Sequence, residues 1–317
     1  MFFNSLLNAN LALMKTILVT GSNGLLGQKI TEKIVDDKRF NLIATNRGAN
    51  KFPVTTGYIY ETMDILDRSQ VKKVLQKYLP YAIILTAAMT NVDTCHEQND
   101  ACWQLNVEAT QSLASLCEEM GIHFIYVSTD FVFDGLNGPY KEDDEPKPVS
   151  FYGESKLAAE RITQKMKGDW AIIRTILVYG ILKDMSRSNI VLWAKAALEK
   201  GSPINVVNDQ WRMPTLAEDL AEACLLAVEH KAKGIYHISG KDMMTIADLV
   251  RKVADFWHLD KSLITEISSD SLGQEAKRPK KTGFILDKAM TDLKYQPHSF
   301  DEGLALVSLQ LTEISGQ

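Results

Sequence analysis

The segment from Lys15 to Ile34 constrains the fold more than any other. Lys15-Thr16-Ile17-Leu18-Val19-Thr20 is a short apolar and β-branched run, the composition of a parallel strand buried on both faces. It leads directly into Gly21-Ser22-Asn23-Gly24-Leu25-Leu26-Gly27, and a helical pattern continues to Ile34. Glycines at every third position between a strand and a helix are a variant of the dinucleotide fingerprint. Such a turn lets the backbone approach a pyrophosphate and holds it at the helix N-terminus, where N–H groups lack partners. Residues 21 to 27 are therefore the expected phosphate site of a dinucleotide cofactor.

Downstream, strand-like runs at 40–45, 58–63, 81–86, 122–127 and 170–174 alternate with helical patterns. That alternation predicts an α/β protein with a doubly wound parallel sheet. At 317 residues the chain suits one large unit or two modest ones. Residues 14–180 read as the dinucleotide-binding domain, with 204–230 returning to it. Residues 181–203 and 231–317 read as a smaller C-terminal α/β domain for substrate. Residues 1–13 read as an extension: they are apolar, but no basic residue precedes them and no cleavage site follows. They are also too short for a membrane span.

The second strand ends at Asn46-Arg47, with no acid for the ribose 2′-hydroxyl of NAD(H). Arg47 either accepts a 2′-phosphate, which favours NADP(H), or is a surface residue in a turn. Asp64, followed by Ile65 after the third strand, reaches an adenine or caps a turn. Ala87-Ala88 after the fourth strand are small enough for the backbone to pass close to a cofactor. A helix is expected from Trp103 to Met120, with Asn106 exposed on it or bonded back to the chain.

The fifth strand delivers Ser128-Thr129-Asp130 to its carboxyl end, where open parallel sheets place ligands. After an acid- and proline-rich loop from Gly138 to Pro148, Tyr152 and Lys156 open an alanine-rich helical run. Their spacing puts a phenol and an ammonium on one helix face. A neighbouring positive charge favours phenolate, so Lys156 is expected to lower the pKa of Tyr152. In isolation the pair reads sooner as a solvated lysine beside a half-buried tyrosine. Its place behind a glycine turn and a threonine-bearing strand favours acid–base work.

The charge balance, 35 basic against 40 acidic residues, excludes a general nucleic-acid binder. Cys95, Cys102, Cys117 and Cys224 form no metal-ligand spacing with each other or with histidines. No metal is expected, and the thiols fit a reduced, cytoplasmic setting with no membrane partner.

Together these segments resemble the extended short-chain dehydrogenase/reductase superfamily and, within it, the dTDP-4-dehydrorhamnose reductase family. The resemblance runs from Met14 to the last helix. It rests on Gly21-x-x-Gly24-x-x-Gly27, the run Ser128-Thr129-Asp130-Phe131-Val132-Phe133-Asp134-Gly135, and Tyr152-x-x-x-Lys156. Asn208-Asp209-Gln210 with Pro214-Thr215, and Arg278-Pro279 with Leu286-Asp287, support it further. It implies NADP(H)-dependent reduction of the C4 keto group of a dTDP-linked 4-keto-6-deoxy sugar by a homodimer, with NAD(H) as the other candidate cofactor. Carried over, the catalytic set falls on Thr129, Tyr152 and Lys156, with Asn106 supporting a proton relay. Tyr152 is the implied acid, Thr129 a donor to the carbonyl oxygen, and Lys156 a ligand of the nicotinamide ribose. Asp130, Phe131, Val132, Trp211 and Arg278 are the further implied substrate contacts, Arg278 at the pyrophosphate and Asp130 either setting polarity or shaping a turn.

Two departures stand out. Leu177 replaces the family's usual aromatic residue, and Trp211-Arg212-Met213 follows Asp209-Gln210. That segment is similar to the regulatory beta subunit of methionine adenosyltransferase, so a cofactor-binding regulatory subunit is one alternative. A nucleotide-sugar epimerase or dehydratase is another, but an acid pair after the threonine would mark it, and Phe131 follows Asp130 here.

Overall fold

Thr16–Thr20 forms β1, and burial of Ile17, Leu18 and Val19 on both sides makes it the centre of the sheet. The computed structural model describes residues 14–183, 188–273 and 275–315, and the expected extension at 1–13 lies outside them. After β1 come α1 (Leu25–Asp37), β2 (Asn41–Asn46), β3 (Ile59–Thr62), α2 (Arg68–Tyr78) and β4 (Ala82–Leu85). Next are α3 (Val92–Glu97), α4 (Asn99–Trp103), α5 (Ala109–Met120), β5 (His123–Thr129), α6 (Phe151–Gln164) and β6 (Trp170–Thr175). The later chain adds β7 (Val178–Tyr179), α7 (Ile190–Glu199), β8 (Ile204–Val207), β9 (Trp211–Arg212), β10 (Thr215–Leu216) and α8 (Ala217–Glu229). It ends with β11 (Gly234–Ile238), β12 (Met244–Thr245), α9 (Ile246–Phe256), β13 (Ile264–Ile267), α10 (Asp287–Asp292) and α11 (Phe300–Ser315).

The main sheet runs β11-β6-β5-β4-β1-β2-β3, and every pair in it is parallel. The chain builds outward from β1 to β3, then crosses over to β4 and builds the other way. Such a reversal opens a crevice at the carboxyl ends of β1 and β4, the usual ligand position in this architecture. Alternate strand residues fill opposite layers, because successive side chains point to opposite faces. Ile17, Val19 and Ile84 pack with Ile30 and Ile34 of α1 and Leu220 and Cys224 of α8. Leu18, Ile83 and Phe124 pack with Val71 and Leu75 of α2 and Leu113 and Cys117 of α5.

A second core gathers α7, α9 and α11 over the short parallel pair β8–β13. Helix α9 starts with a capping box, Thr245 accepting from Asp248 N while the Asp248 carboxylate accepts from Thr245 N. Two segments fall in different lobes from those the sequence suggested. β8 pairs with β13, not with the main sheet, and its exposed Asn205 shows that one of its faces meets water. β11 pairs with β6 as the edge of the main sheet, burying Tyr236, His237 and Ile238. The helix expected from 103 to 120 is interrupted. One π-helical turn at Gln104–Glu108 joins α4 to α5, and a widened turn of this kind re-aims side chains, often at functional sites.

Candidate active site

Two clefts meet at the glycine turn. The larger, about 580 Å³, runs from Gly24–Gly27 past Thr129, Tyr152 and Lys156 to Asn189 and Val207 of the second lobe. The smaller, about 390 Å³, is walled by Asn46, Arg47, Lys51, Asp64, Ile65 and Ala87. Gly24, Thr86 and Ala88 border both, so they form one track across the carboxyl edge of the sheet.

Gly21 has φ +67, and a Cβ there would lie 2.8 Å from the backbone nitrogen of Ala87. At Gly27 a Cβ would stand 2.4 Å from Gly21 O, so the helix can start this close to the turn only with glycine. Gly24 N donates to Gly21 O at 2.9 Å and closes the turn. Helix α1 has no side-chain cap and no acidic residue in its first turn. Its leading N–H groups and positive dipole end are thus left for an anion, and this donor set fits the diphosphate of a dinucleotide. Asn23 braces the neighbouring segment, donating to Ala49 O at 2.8 Å and accepting from Lys51 N at 2.9 Å.

The other wall is built by β5 and α6. Ser150 caps α6 by accepting from Gly153 N at 3.3 Å. A Cβ on Gly153 would meet Phe131 O at 2.2 Å, so the helix start lies directly on the turn after β5. That contact brings Tyr152 beside Thr129. Burial raises the pKa of the Tyr152 phenol, the Thr129 hydroxyl opposes the rise through a hydrogen bond, and the charge of Asp130 adds to it. Tyr152 is therefore a protonated phenol at neutral pH, its ring edge-on to Phe131 at 5.6 Å. Lys156 Nζ donates to Val127 O at 2.8 Å and lies 4.3 Å from the centre of the Tyr126 ring. Burial lowers its pKa to about 8, against the opposing pull of Glu160. The expectation that Lys156 lowers the Tyr152 pKa is not met. Desolvation dominates, and the ammonium is engaged by the strand carbonyl.

Behind Thr129 lies a buried polar knot. Asp130 accepts from Thr129 Oγ1 at 3.1 Å and from Thr282 Oγ1, and Arg212 Nε stands 3.7 Å from its carboxylate. Desolvation raises the Asp130 pKa while Arg212 pulls it down. The same guanidinium donates to Trp211 O at 2.7 Å and Pro279 O at 2.8 Å, tying the segment 279–282 to the end of β5 that carries Thr129.

Residues 14–312 match the family described as RmlD substrate binding domain. The chain belongs to this family. Among its relatives, methionine adenosyltransferase 2 subunit beta of Xenopus laevis is 32% identical over 262 residues, covering 81% of this chain and 76% of that protein. The probable low-salt glycan biosynthesis reductase Agl14 of Haloferax volcanii is 28% identical, covering 94% of this chain and 98% of its own. Among solved structures, the dTDP-4-dehydrorhamnose reductase of Bacillus anthracis in complex with NADP superposes with a TM-score of 0.83 at 25% identity, over 94% of this chain and all of that one. The shared fold is that of NAD(P)-dependent short-chain oxidoreductases acting on nucleotide sugars.

Within this RmlD-family fold the expected residues separate into those that line the clefts and those that do not. Gly21, Asn23, Asn46, Arg47, Asp64, Ile65 and Ala87 line the smaller cleft; Leu25, Leu26, Gly27, Thr129, Asp130, Phe131, Tyr152, Lys156 and Arg278 line the larger. Asp64 also caps locally, accepting from Leu66 N at 3.0 Å. Arg278 reaches the larger cleft while donating to Asp93 at 2.7 Å. Ser22 and Val132 are buried and border neither cleft. Trp211 is also absent from the walls: it is 39% exposed, whereas Arg212 is 4% exposed and faces the larger cleft. Adjacent strand residues point to opposite faces, so β9 cannot present both. Asn106 is buried rather than exposed, and it too lies off both clefts. It accepts from Met89 N at 2.8 Å and donates to Met89 O and Ser155 Oγ, each at 3.0 Å, which makes it a positioning residue. Gln210 and Arg212 are the residues sequence reasoning missed. The strand that turns Arg212 inward is only two residues long, so no period in the sequence marks them.

Proposed function

We propose that this protein is an NADP(H)-dependent reductase of the C4 keto group of a dTDP-linked 4-keto-6-deoxy sugar, a reaction of the dTDP-4-dehydrorhamnose to dTDP-L-rhamnose type. The observation that carries the reading is the convergence of Thr129, a protonated Tyr152 and Lys156 on a cleft continuous with an open phosphate cradle. A nicotinamide held along this track would supply the hydride for the new C–H bond at C4. The carbonyl electron pair then moves to oxygen, and Tyr152 Oη gives that oxygen its proton. Because burial keeps the phenol protonated, it is ready as an acid in the reducing direction. The Thr129 hydroxyl orients the carbonyl oxygen and stabilises its developing charge. Lys156, which lines the same cleft, would hold the cofactor ribose and offset the charge of the tyrosinate. Arg47 and Lys51, with no carboxylate at the end of β2, favour a 2′-phosphate and hence NADP(H). Arg278 meets the substrate diphosphate.

The test is NADPH absorbance with dTDP-4-keto-6-deoxy-L-lyxo-hexulose as substrate. Wild type oxidises NADPH, and Tyr152→Phe loses about 10²–10⁴-fold in kcat, the range for a general acid. No oxidation by wild type beside an active control reductase overturns the reading. The likeness to the methionine adenosyltransferase beta subunits, up to 32% identity, favours a second reading as a cofactor-binding regulatory subunit. That reading requires NADPH binding without turnover and a changed rate of a methionine adenosyltransferase catalytic subunit on mixing.

A further inference from the structure

Tyr126 in the middle of β5 is 1% exposed, and its Oη is a buried hydroxyl without a hydrogen-bond partner. An unpaired buried hydroxyl is costly, and a phenyl ring would fill the same space without that cost. The part of this side chain that the structure uses is therefore the ring. Alternation along β5 sends Tyr126 into the layer that holds Leu113 of α5 and Ala159 of α6, while Val127 packs against the opposite layer. Helix α6 lies on the Tyr126 side and brings Lys156 Nζ to 4.3 Å from the centre of the ring, well inside the reach of a cation–π contact. The same ammonium donates to the next carbonyl of the strand, Val127 O, at 2.8 Å.

We propose that Tyr126 is a positioning residue for Lys156: the face of its ring, with the Val127 carbonyl, holds the buried ammonium from the sheet side. A lysine ammonium has three N–H donors and no acceptor. The carbonyl takes one, and the ring face covers another side. Lys156 lines the larger cleft, whereas Tyr126 is absent from its walls, so the ring works from beneath and a donor is left for the cleft.

The charges around Lys156 show why the ring matters. Burial strips water from the ammonium, and the titratable groups that face it are Glu160 of its own helix, Cys95 of α3 and Cys102 of α4. Glu160 is the one carboxylate of the three, and it is already engaged by Arg174 Nε at 2.9 Å, Arg174 Nη2 at 2.8 Å and Ser128 Oγ. The negative face of an aromatic ring stands in for lost hydration on one side of a cation, and the effect grows as the cation is desolvated. With its pKa at about 8, Lys156 is mostly charged at neutral pH. Losing about one pKa unit, somewhat less than a desolvated cation–π contact can supply, would leave about half of it charged. The hold on the ammonium does not depend on the reductase reading, but its effect on rate does.

The experiment follows the titration of Lys156 by NMR in the full-length protein, labelled with carbon-13 at its lysines, the signal being assigned by its absence from Lys156→Met. Tyr126→Phe keeps the ring and removes the unpaired hydroxyl, so the Lys156 pKa should stay where it is and Tm should be no lower than in wild type. A trifluorinated phenylalanine at position 126 keeps the shape of the ring and withdraws charge from its face. The Lys156 pKa should then fall by about one unit relative to Tyr126→Phe, and the alkaline limb of the NADPH oxidation profile should move to lower pH with it. A Lys156 pKa that agrees within about 0.3 unit between the phenylalanine and its fluorinated form overturns the proposal. So does a fall in Tyr126→Phe as large as the one expected on fluorination, because the hydroxyl and not the ring would then hold the ammonium. If wild type does not oxidise NADPH, the reductase reading fails, and the titration alone decides the role of the ring.

Discussion

Glu160→Gln removes one charge from an enclosed ion pair, and its effects reach the proposed catalytic lysine. The Glu160 carboxylate is fully buried in α6 and accepts from Arg174 Nε at 2.9 Å, Arg174 Nη2 at 2.8 Å and Ser128 Oγ at 2.5 Å. Arg174 is 1% exposed, so the variant leaves a guanidinium buried beside a neutral amide. Breaking a buried pair in this way costs about 3–5 kcal/mol. At roughly 2 °C per kcal/mol for a chain of this size, Tm should fall by about 6–10 °C. Glu160 also lies one helical turn beyond Lys156 and holds its pKa up. The Lys156 pKa of about 8 would then fall further, and the alkaline limb of the rate profile would move to lower pH. Scanning fluorimetry and a pH–rate profile measure the two effects separately. Glu160→Gln/Arg174→Met should recover more than half of the lost stability, since apolar replacement of both partners removes the unpaired charge. A Tm within 2 °C of wild type, together with an unmoved alkaline limb, would refute both the pairing and its link to Lys156.

Other perturbations test other parts of the site. Gly27→Ala should abolish NADPH binding in a titration and lower Tm, because its Cβ would stand 2.4 Å from Gly21 O. Arg47→Ala should weaken NADPH but leave NADH unchanged, by about 1.5–3 kcal/mol for a charged hydrogen bond; equal losses for both cofactors would remove Arg47 from the 2′-phosphate. Lys156→Met tests the buried ammonium through stability. Between about pH 8 and 10.5 folded Lys156 has lost its proton while the unfolded lysine keeps it, so the unfolded state binds more protons. Wild-type stability relative to Lys156→Met should therefore rise with pH across that window, by at most about 1.4 kcal/mol per unit, and a flat difference in urea midpoints would count against it. Trp211→Ala should leave the sugar KM within about twofold, whereas Arg212→Met should lower kcat and Tm, because breaking its buried pair with Asp130 frees the segment behind Thr129.

Much of the fold is legible in the chain because buried parallel strands leave continuous apolar runs. Ile17-Leu18-Val19 and Ile83-Ile84-Leu85 are examples, and the glycines of 21–27 mark a turn where backbone must pass close to backbone. The short elements were not legible in the same way. β9 has two residues, too few to display a period, so the inward turn of Arg212 and the outward turn of Trp211 appear only once Met244 and Lys280 flank it. The lobe membership of β8 and β11 likewise depended on pairing partners far along the chain.

The sequence by itself determined a nucleotide-binding turn after the first strand, a threonine at a strand end, and a phenol and ammonium one helical turn apart. These are local facts, set by backbone sterics and by the 3.6-residue period. Only the tertiary structure decided their chemical state. Packing of α6 on the turn after β5 buries Tyr152 and keeps it protonated, while the Val127 carbonyl and Glu160 compete over Lys156. Burial and neighbouring charge are properties of the assembled site, and no spacing of residues encodes them.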